Sequence, residues 1–272
     1  MGLVPSTSSR MYVDLIYGKT SKYANWDPAK RIQIGDYGIV DRETGAFEPE
    51  GNIYTDPAIK GELAEADKVI DGDPIQTYYV STGRATSRQG HLEPEVSLPG
   101  VVEASIKGEW DFGNERGAAL IMSNPRISSL PAPLLQRLAA LPVLKNKRIV
   151  TEMYTCPAFF MYLSGKKQDH LKIELRALAP IAAAAGVTAG GGVGVGWRKE
   201  YRDGVVQDAF HPEGKYSYFP LFNLKKLREP SSRRESPEPE SVANLLWVDA
   251  PVPWDILDED GNEFVDVVSD SE

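Results

Sequence analysis

The strictest pattern in the chain is an alternation of apolar and charged residues over residues 171–179. Five apolar residues take every second position and three charged residues lie between them: Leu171, Ile173, Leu175, Ala177 and Ala179, then Lys172, Glu174 and Arg176. Successive side chains of a β-strand point to opposite faces of the sheet, whereas a helix repeats every 3.6 residues. The pattern therefore predicts a strand with one apolar and one solvated face.

A second alternation of the same kind covers residues 101–110. One face would carry the apolar residues and the other the polar ones: Val102, Ala104, Ile106, Gly108 and Trp110, then Glu103, Ser105, Lys107 and Glu109. We expect residues 76–88 and this segment to form the two arms of a β-pair.

Shorter patterns complete a β-rich body. Residues 35–54 predict a hairpin that turns at residues 41–45, and residues 118–122 a short apolar strand. Residues 149–164 suggest a pair of strands turned at Cys156 and Pro157. Residues 131–147 favour a helix that breaks or kinks at Pro142, because proline lacks the amide hydrogen that a helix interior needs.

The segment 179–197 contains no charged residue and six of the chain's 24 glycines. Its length approaches that of a membrane helix, but each glycine costs about 1 kcal/mol in a helix interior. We expect a strand here, with Val193 and Val195 on one face. Alternation alone does not decide whether such strands enter a membrane, since half-buried strands of globular proteins show it too.

Charge is distributed unevenly along the chain. Residues 235–272 hold 12 of the 39 acidic residues and no Lys or Arg, so the remaining 27 acidic residues face all 30 basic ones in residues 1–234. We expect a flexible N-terminus over residues 1–11, a body over 12–228, a Pro-rich linker over 229–241 and an acidic tail over 242–272. The tail either aids solubility or masks a basic surface, in which case Trp247 and Trp254 would anchor it.

Motifs for chemistry are absent from the sequence. Gly18-Lys19-Thr20 lacks the first glycine of a phosphate-binding loop, and the glycine-rich segment does not match a dinucleotide-binding fingerprint. The three His are far apart and Cys156 is the only cysteine, which argues against a structural metal site and a disulfide. We expect no enzyme, no cofactor, no metal, no catalytic residue and no nucleic-acid partner, and we expect Cys156 to be buried.

Several segments together carry a family resemblance: residues 34–47 (IGDYGIVDRETGAF), 50–54 (EGNIY), 108–114 (GEWDFGN), 116–118 (RGA), 145–163 and 219–224 (FPLFNL). Residues 12–228 resemble fungal and bacterial gasdermin-like proteins, especially the fungal regulators of cell death. The resemblance implies an α+β fold, with a twisted, mainly antiparallel β-sheet and flanking helices. It also implies a pore-forming domain that rests in the cytoplasm and moves to the plasma membrane when activated.

In that family, two long stretches refold into membrane hairpins that join neighbouring copies in β-barrel pores. The matching stretches are residues 76–122 and 149–197, with ten candidate inserting residues: Val102, Ala104, Ile106, Trp110, Leu171, Ile173, Leu175, Ala177, Val193 and Val195. Strands in lipid must close on one another to satisfy their backbone groups, which requires oligomerisation. The partners would be further copies of the chain or a variant gasdermin-like protein.

The family also binds acidic phospholipids through a basic first helix. This role maps onto four basic residues and two interfacial aromatic ones: Lys19, Lys22, Lys30 and Arg31, with Tyr23 and Trp26. The same residues could simply be solvated charges on a packed helix. Only 38 residues follow Arg234, too few for the large inhibitory domain of animal gasdermins. Activation would follow removal of the tail by a protease or an encounter with a variant partner.

The sequence therefore supports two hypotheses. In the first, the protein permeabilises the plasma membrane and causes regulated, pyroptosis-like cell death, as in fungal allorecognition and heterokaryon incompatibility. In the second, it is a non-lytic cytosolic β-rich binding protein whose acidic tail docks a partner.

Overall fold

The computed structural model describes residues 6–82, 86–88, 95–98, 101–113, 115–165, 169–177, 196–228 and 246–263. The helices are α1 (Ser6–Thr20), α2 (Pro57–Lys60) and α3 (Ala132–Leu138), with 3-10 turns at Glu65–Asp67 and Pro142–Leu144. The strands are β1 (Tyr23–Ala24), β2 (Asp36–Val40), β3 (Phe47–Asn52), β4 (Ile70–Asp71), β5 (Thr77–Ser81), β6 (Thr86–Arg88), β7 (Glu95–Leu98), β8 (Val101–Phe112), β9 (Ala118–Ser123), β10 (Arg126–Ser129), β11 (Arg148–Cys156), β12 (Ala158–Ser164), β13 (Asp169–Ala177), β14 (Gly196–Tyr201), β15 (Gly204–Phe210), β16 (Tyr218–Leu227) and β17 (Trp247–Asp249).

These elements form two units. Unit 1 contains Met1–Gln76, Asn124–Cys156 and Ser217–Glu272, and unit 2 contains Thr77–Ser123 and Pro157–Tyr216. Every strand pair among the described residues is antiparallel, and two of the three helices described there are short. The expected α+β class with mainly antiparallel sheets is confirmed.

Unit 1 is built on an eight-stranded sheet in the order β1-β16-β11-β10-β4, with β17 beside β16 and the β2–β3 hairpin beside β11. The hairpin that the sequence predicts is confirmed. Its turn is held by Asp41, whose carboxylate accepts hydrogen bonds from the amides of Glu43 and Thr44, and by Gly45 at a φ of +74°. Glycine reaches this left-handed region without steric cost.

Helix α1 packs into unit 1 and corrects one expectation. The N-terminus was expected to be flexible over residues 1–11, but the helix begins at Ser6, and Ser9 and Met11 are buried. The reason is apolar spacing: Tyr12 and Ile16, four residues apart, lie on one helix face and are fully buried. The expected break at Pro142 is confirmed, because α3 ends at Leu138 and a 3-10 turn starts at Pro142.

Unit 2 contains a four-stranded sheet, β15-β12-β9-β5, and a five-stranded one, β14-β13-β8-β6 with β7 beside β8. Apolar residues of both sheets form one core: Trp110, Phe112, Ala119, Ile121, Ala158, Phe160, Tyr162, Leu171 and Ile173. The strands predicted over residues 101–109 and 118–122 are confirmed, as is the predicted strand 171–179 up to Ala177, beyond which it lies outside the described residues. The first arm over residues 76–88 is two strands, of which β6 pairs with β8 while β5 pairs with β9.

The turn expected at Cys156 and Pro157 is wrong. Strand β11 ends at Cys156 and β12 starts at Ala158, but β11 pairs with β16 and β10 while β12 pairs with β9 and β15. Pro157 therefore marks a crossing from one sheet to another. A proline suits such a point, because it cannot donate to a β-ladder.

Candidate functional site

The two alternating segments of the sequence lie side by side as β8 and β13. Their apolar positions face one another in the register: Trp110 opposite Leu171, Gly108 opposite Ile173, Ile106 opposite Leu175 and Ala104 opposite Ala177. Directly opposed residues of antiparallel strands share a face, so Gly108, Trp110, Leu171 and Ile173 lie on one side of the sheet. Val102 also lies in β8, whereas Val193 and Val195 fall outside the described residues.

Three apolar residues on this side of the sheet are buried in unit 2. Trp110, Leu171 and Ile173 are at most 6% exposed. Gly108 makes room for the indole, since a Cβ at that position would lie 2.0 Å from a ring atom of Trp110. Trp197 of β14 adds a ring whose centroid is 5.3 Å from that of Phe160. In this state, therefore, Trp110, Leu171 and Ile173 are core residues.

The other side of the same sheet is a ladder of opposite charges. Lys172 lies between Glu109 of β8 and Glu200 of β14 in the register. Glu174, two residues on, lies between Lys107 and Arg198. Each opposed pair of unlike charges contributes about 0.2–1 kcal/mol. Lys172, Arg198 and Glu200 are exposed, so this face is polar and wet while the opposite face is apolar.

A histidine continues the polar face of this sheet. His170 Nδ1 lies 2.7 Å from the Asp111 carboxylate and its Nε2 lies 3.7 Å from that of Glu109. No group of three His, Cys, Asp or Glu within the described ranges could hold a metal ion.

The basic residues expected on the first helix do not lie together on it. Helix α1 ends at Thr20, where Ser21 adopts a φ of +56°, so only Lys19 is helical. Lys22 is mostly buried and engaged: its ammonium is 2.8 Å from Glu152 and lies over the Tyr154 ring at 5.8 Å. Lys19, Lys30 and Arg31 are exposed.

The two aromatic residues expected at a membrane interface are placed differently. Tyr23 is fully buried, stacks on Phe222 and donates a hydrogen bond of 2.7 Å to the carbonyl of Pro251. In this structure Tyr23 is therefore a core residue, and its membrane contact stays a prediction. Trp26 is half-buried against Tyr12, with ring centroids 5.2 Å apart.

Residues 246–263, here called the C-terminal strap, are built into unit 1. Strand β17 pairs with the end of β16, and Lys225 binds Asp249 at 2.9 Å across that pair. Trp247 is 4% exposed and donates from its indole to the carbonyl of Leu135 at 2.5 Å. Burial of such large aromatic groups contributes more to binding than surface charges do.

The second tryptophan of the strap fastens it to α1. Trp254 is 6% exposed and donates to the Asp14 carboxylate at 2.8 Å. Burial raises the pKa of Asp14, and the hydrogen bond from Trp254 lowers it in part. Tyr17 of the same helix donates to the carbonyl of Ala250 at 3.1 Å. Helix α1 and the strap are thus joined by polar contacts within an apolar core.

The far end of the strap is held by charge. Glu263 hydrogen-bonds the guanidinium of Arg42 and lies 3.3 Å from Arg10. The hydrogen bond from Arg42 lowers the pKa of Glu263 to about 2. Arg10 also donates to the carbonyl of Gly261 at 2.5 Å.

The sequence did not predict the contacts of Glu263 with Arg42 and Arg10, here called the Glu263 clamp. Nor did it predict the hydrogen bonds that the hydroxyls of Tyr17 and Tyr23 donate to the strap. Arg42 and Glu263 are separated by 221 residues, and no spacing rule joins positions that distant. The one available signal was the pair of tryptophans in an otherwise acidic segment.

Two further features bear on chemistry and on membranes. Cys156 is completely buried, as expected. Among the residues that the structure describes, no helix combines the length and the apolar character needed to cross a bilayer.

Comparisons with known proteins give weak structural likeness alone. No protein-family model matches the chain, and no curated protein matches it. Among solved structures, the chain is similar to the cryo-EM structure of the gasdermin A3 membrane pore, with a TM-score of 0.29 and 10% identity over 95% of this chain and 99% of that one. At that score and identity the likeness carries no argument about function.

Proposed function

We propose that the protein is a gasdermin-like pore-forming protein that binds acidic phospholipids, oligomerises in the membrane and thereby kills the cell. The observation that carries the proposal is the sheet of β8, β13 and β14, with apolar residues in register on one side and a charge ladder on the other. The wall of a wide aqueous pore needs this division, because one face meets lipid and the other water.

Strand length supports the proposal. A tilted strand needs about 9–11 residues to cross the hydrocarbon core, and β8 has 12 residues and β13 has 9. Trp110, Leu171 and Ile173 are buried in the resting state, so insertion requires their release from the unit 2 core. Their apolar surface would then exchange one apolar environment for another, and the strand ladders between β8 and β13 would persist.

The lipid contact is assigned to the three exposed cations Lys19, Lys30 and Arg31. Each basic residue near an anionic surface contributes about 1 kcal/mol. Lys22 is left out of this group because it is paired with Glu152.

The strap is proposed to hold the resting state by fixing α1. Its release would follow a cut within residues 229–241 or binding of a variant partner, and the protein would move from the cytoplasm to the plasma membrane. We favour less the alternative that the strap docks another protein, because Trp247 and Trp254 are buried in the protein's own core.

A liposome assay tests the proposal. A recognition sequence for a site-specific protease is inserted within residues 229–241, and dye release is measured before and after the cut. We expect release only after the cut, from vesicles containing phosphatidylserine and not from pure phosphatidylcholine. Changing Lys19, Lys30 and Arg31 together to Glu should abolish binding to the acidic vesicles.

The matched control carries the same insertion and is left uncut. If cut and uncut protein, alone and mixed with a variant protein, all leave acidic vesicles intact, the pore-forming function is wrong. Stable monomers that ignore vesicles while the strap captures a protein partner would favour the non-lytic binding protein instead.

A further inference from the structure

A cavity of about 580 Å³ in unit 1 has a lining whose charged residues are all basic. It lies where the end of α3, the 3-10 turn Pro142–Leu144 and the start of β11 meet the end of β16. Five of its eleven lining residues are basic, and none that the structure describes is acidic: Lys145, Lys147, Arg148, Lys226 and Arg228.

Among the described residues, most of this charge has no acidic partner. Lys147 is paired with Glu50 at 2.6 Å. In the described parts of the chain, no ion pair involves Lys145, Lys226 or Arg228. Arg148 hydrogen-bonds the Tyr23 hydroxyl. Its buried Nε, however, has no hydrogen-bond partner among the described residues. A buried donor without a partner costs free energy.

The β-register holds two of these cations together. Arg148 of β11 lies directly opposite Lys226 of β16, so both side chains project from the same face of the sheet. Like charges in this arrangement repel one another, and Arg228 lies directly beyond the end of β16. A concave site of one charge sign concentrates the opposite charge.

The lining also restricts the class of ligand. Its volume falls within the range of about 300–1,000 Å³ typical of small-molecule sites. No aromatic residue is among the lining residues that the structure describes, so the stacking platform that nucleic-acid bases require is missing. Arg and Lys together suit phosphate oxygens, which Arg can bind in a bidentate manner.

We propose that this cavity binds a ligand carrying several phosphate groups, either a soluble one or the headgroup of a phosphoinositide. The site is distinct from Lys19, Lys30 and Arg31, and it does not depend on pore formation. Its ligand would bridge β11 and β16 by neutralising the repulsion between Arg148 and Lys226.

The test is calorimetric titration of the full-length protein with inositol hexakisphosphate at fixed ionic strength. The test variant changes Lys145, Lys226 and Arg228 to Gln. The control changes Lys60, Arg202 and Lys215 to Gln, which removes the same charge from exposed sites elsewhere. We expect the dissociation constant to rise at least tenfold in the test variant and less than twofold in the control.

A second variant guards against misfolding. It changes only Lys145 and Arg228, whose side chains are exposed, and should weaken binding at least threefold with unchanged circular dichroism. Equal binding by wild type and the triple test variant would overturn the proposal. So would an equal loss in the control, because binding would then follow net charge alone.

Vesicles decide between the two sources of phosphate. Vesicles with phosphatidylinositol 4,5-bisphosphate are compared with phosphatidylserine vesicles of equal surface charge. Binding that prefers the former and is lost in the test variant identifies a lipid headgroup, whereas binding of the soluble ligand alone identifies a free one. Titration that succeeds while dye release fails would leave this site intact and refute only the pore-forming function.

Discussion

The C-terminal strap and the sheet of β8, β13 and β14 are held in opposite ways. The strap depends on individual groups, including two buried indoles, two tyrosine hydroxyls and one carboxylate between two arginines. The sheet depends on register, with opposed charges on one face and apolar surface on the other. Apolar burial is not directional, so the sheet can change its apolar surroundings, whereas the strap fits one place.

The largest loss of stability in a test of this comparison is expected at Trp254. Changing Trp254 to Ala removes a buried indole and leaves the raised-pKa carboxyl of Asp14 without its donor. We expect the free energy of unfolding to fall by about 3–5 kcal/mol. Hydrogen exchange should show the loss of protection in α1 and β16.

The control is Ile256 changed to Ala in the same strap. Ile256 is 78% exposed, so its truncation should change stability by less than about 0.5 kcal/mol. Equal stability of the two variants would mean that the strap is not fixed by its indole.

A smaller effect is expected from the charge ladder. Changing Lys172 to Glu places like charges opposite both Glu109 and Glu200. We expect a loss of about 1 kcal/mol in unfolding free energy, reduced by added salt. The double change of Lys172 to Glu and Glu109 to Lys should recover part of it, because it restores one opposed pair of unlike charges.

The size and salt dependence of this loss test whether the sheet of unit 2 is held by register rather than by individual groups. A loss as large as that from Trp254 would show that the ladder is also held by specific groups. A loss that salt leaves unchanged would contradict its electrostatic origin.

The smallest effect concerns Glu263 and pH. Its folded pKa of about 2 lies below the ordinary value of 4.5, so its contribution is present above pH 4.5 and is lost as the pH falls through about 2. We expect wild type to lose exchange protection at residues 255–263 across this range. The Glu263→Gln variant should lack the stabilisation by this carboxylate at every pH. Its exchange protection at residues 255–263 should therefore already be reduced at pH 7.

Asp14 provides an internal contrast, because burial raises its pKa and its contribution therefore has the opposite pH dependence. Comparison of wild type with the Gln variant isolates Glu263. Identical profiles for the two proteins would contradict the clamp.

The sequence predicted the strands better than it predicted their neighbours. Alternation located β8 and β13 because a period of two follows from local backbone geometry alone. It misplaced the partner of β11, since the chain bends at Pro157 into another sheet and nothing local distinguishes that crossing from a hairpin turn.

The basic residues illustrate the same limit at the candidate site. Lys19, Lys22, Lys30 and Arg31 look equivalent in the sequence, but Glu152 pairs with Lys22 from 130 positions away. Tyr23 is buried because the strap supplies its hydrogen-bond acceptor, Pro251. The cavity beside Arg148 was not predicted either, since its cations come from segments almost 80 residues apart.

The crossing points of the chain have one further consequence. The amide of Asn124 donates to the carbonyl of Gln76 at 2.9 Å, and Cys156 is the register partner of Tyr218. Each excursion into unit 2 therefore starts and ends at neighbouring residues of unit 1. The entropy cost of closing such a loop grows only slowly with its length. Unit 1 therefore has two insertion points, one at Gln76 and Asn124 and one at Cys156 and Tyr218. Inserts of very different length and sequence could replace the present ones there without breaking a β-ladder of the unit 1 sheet.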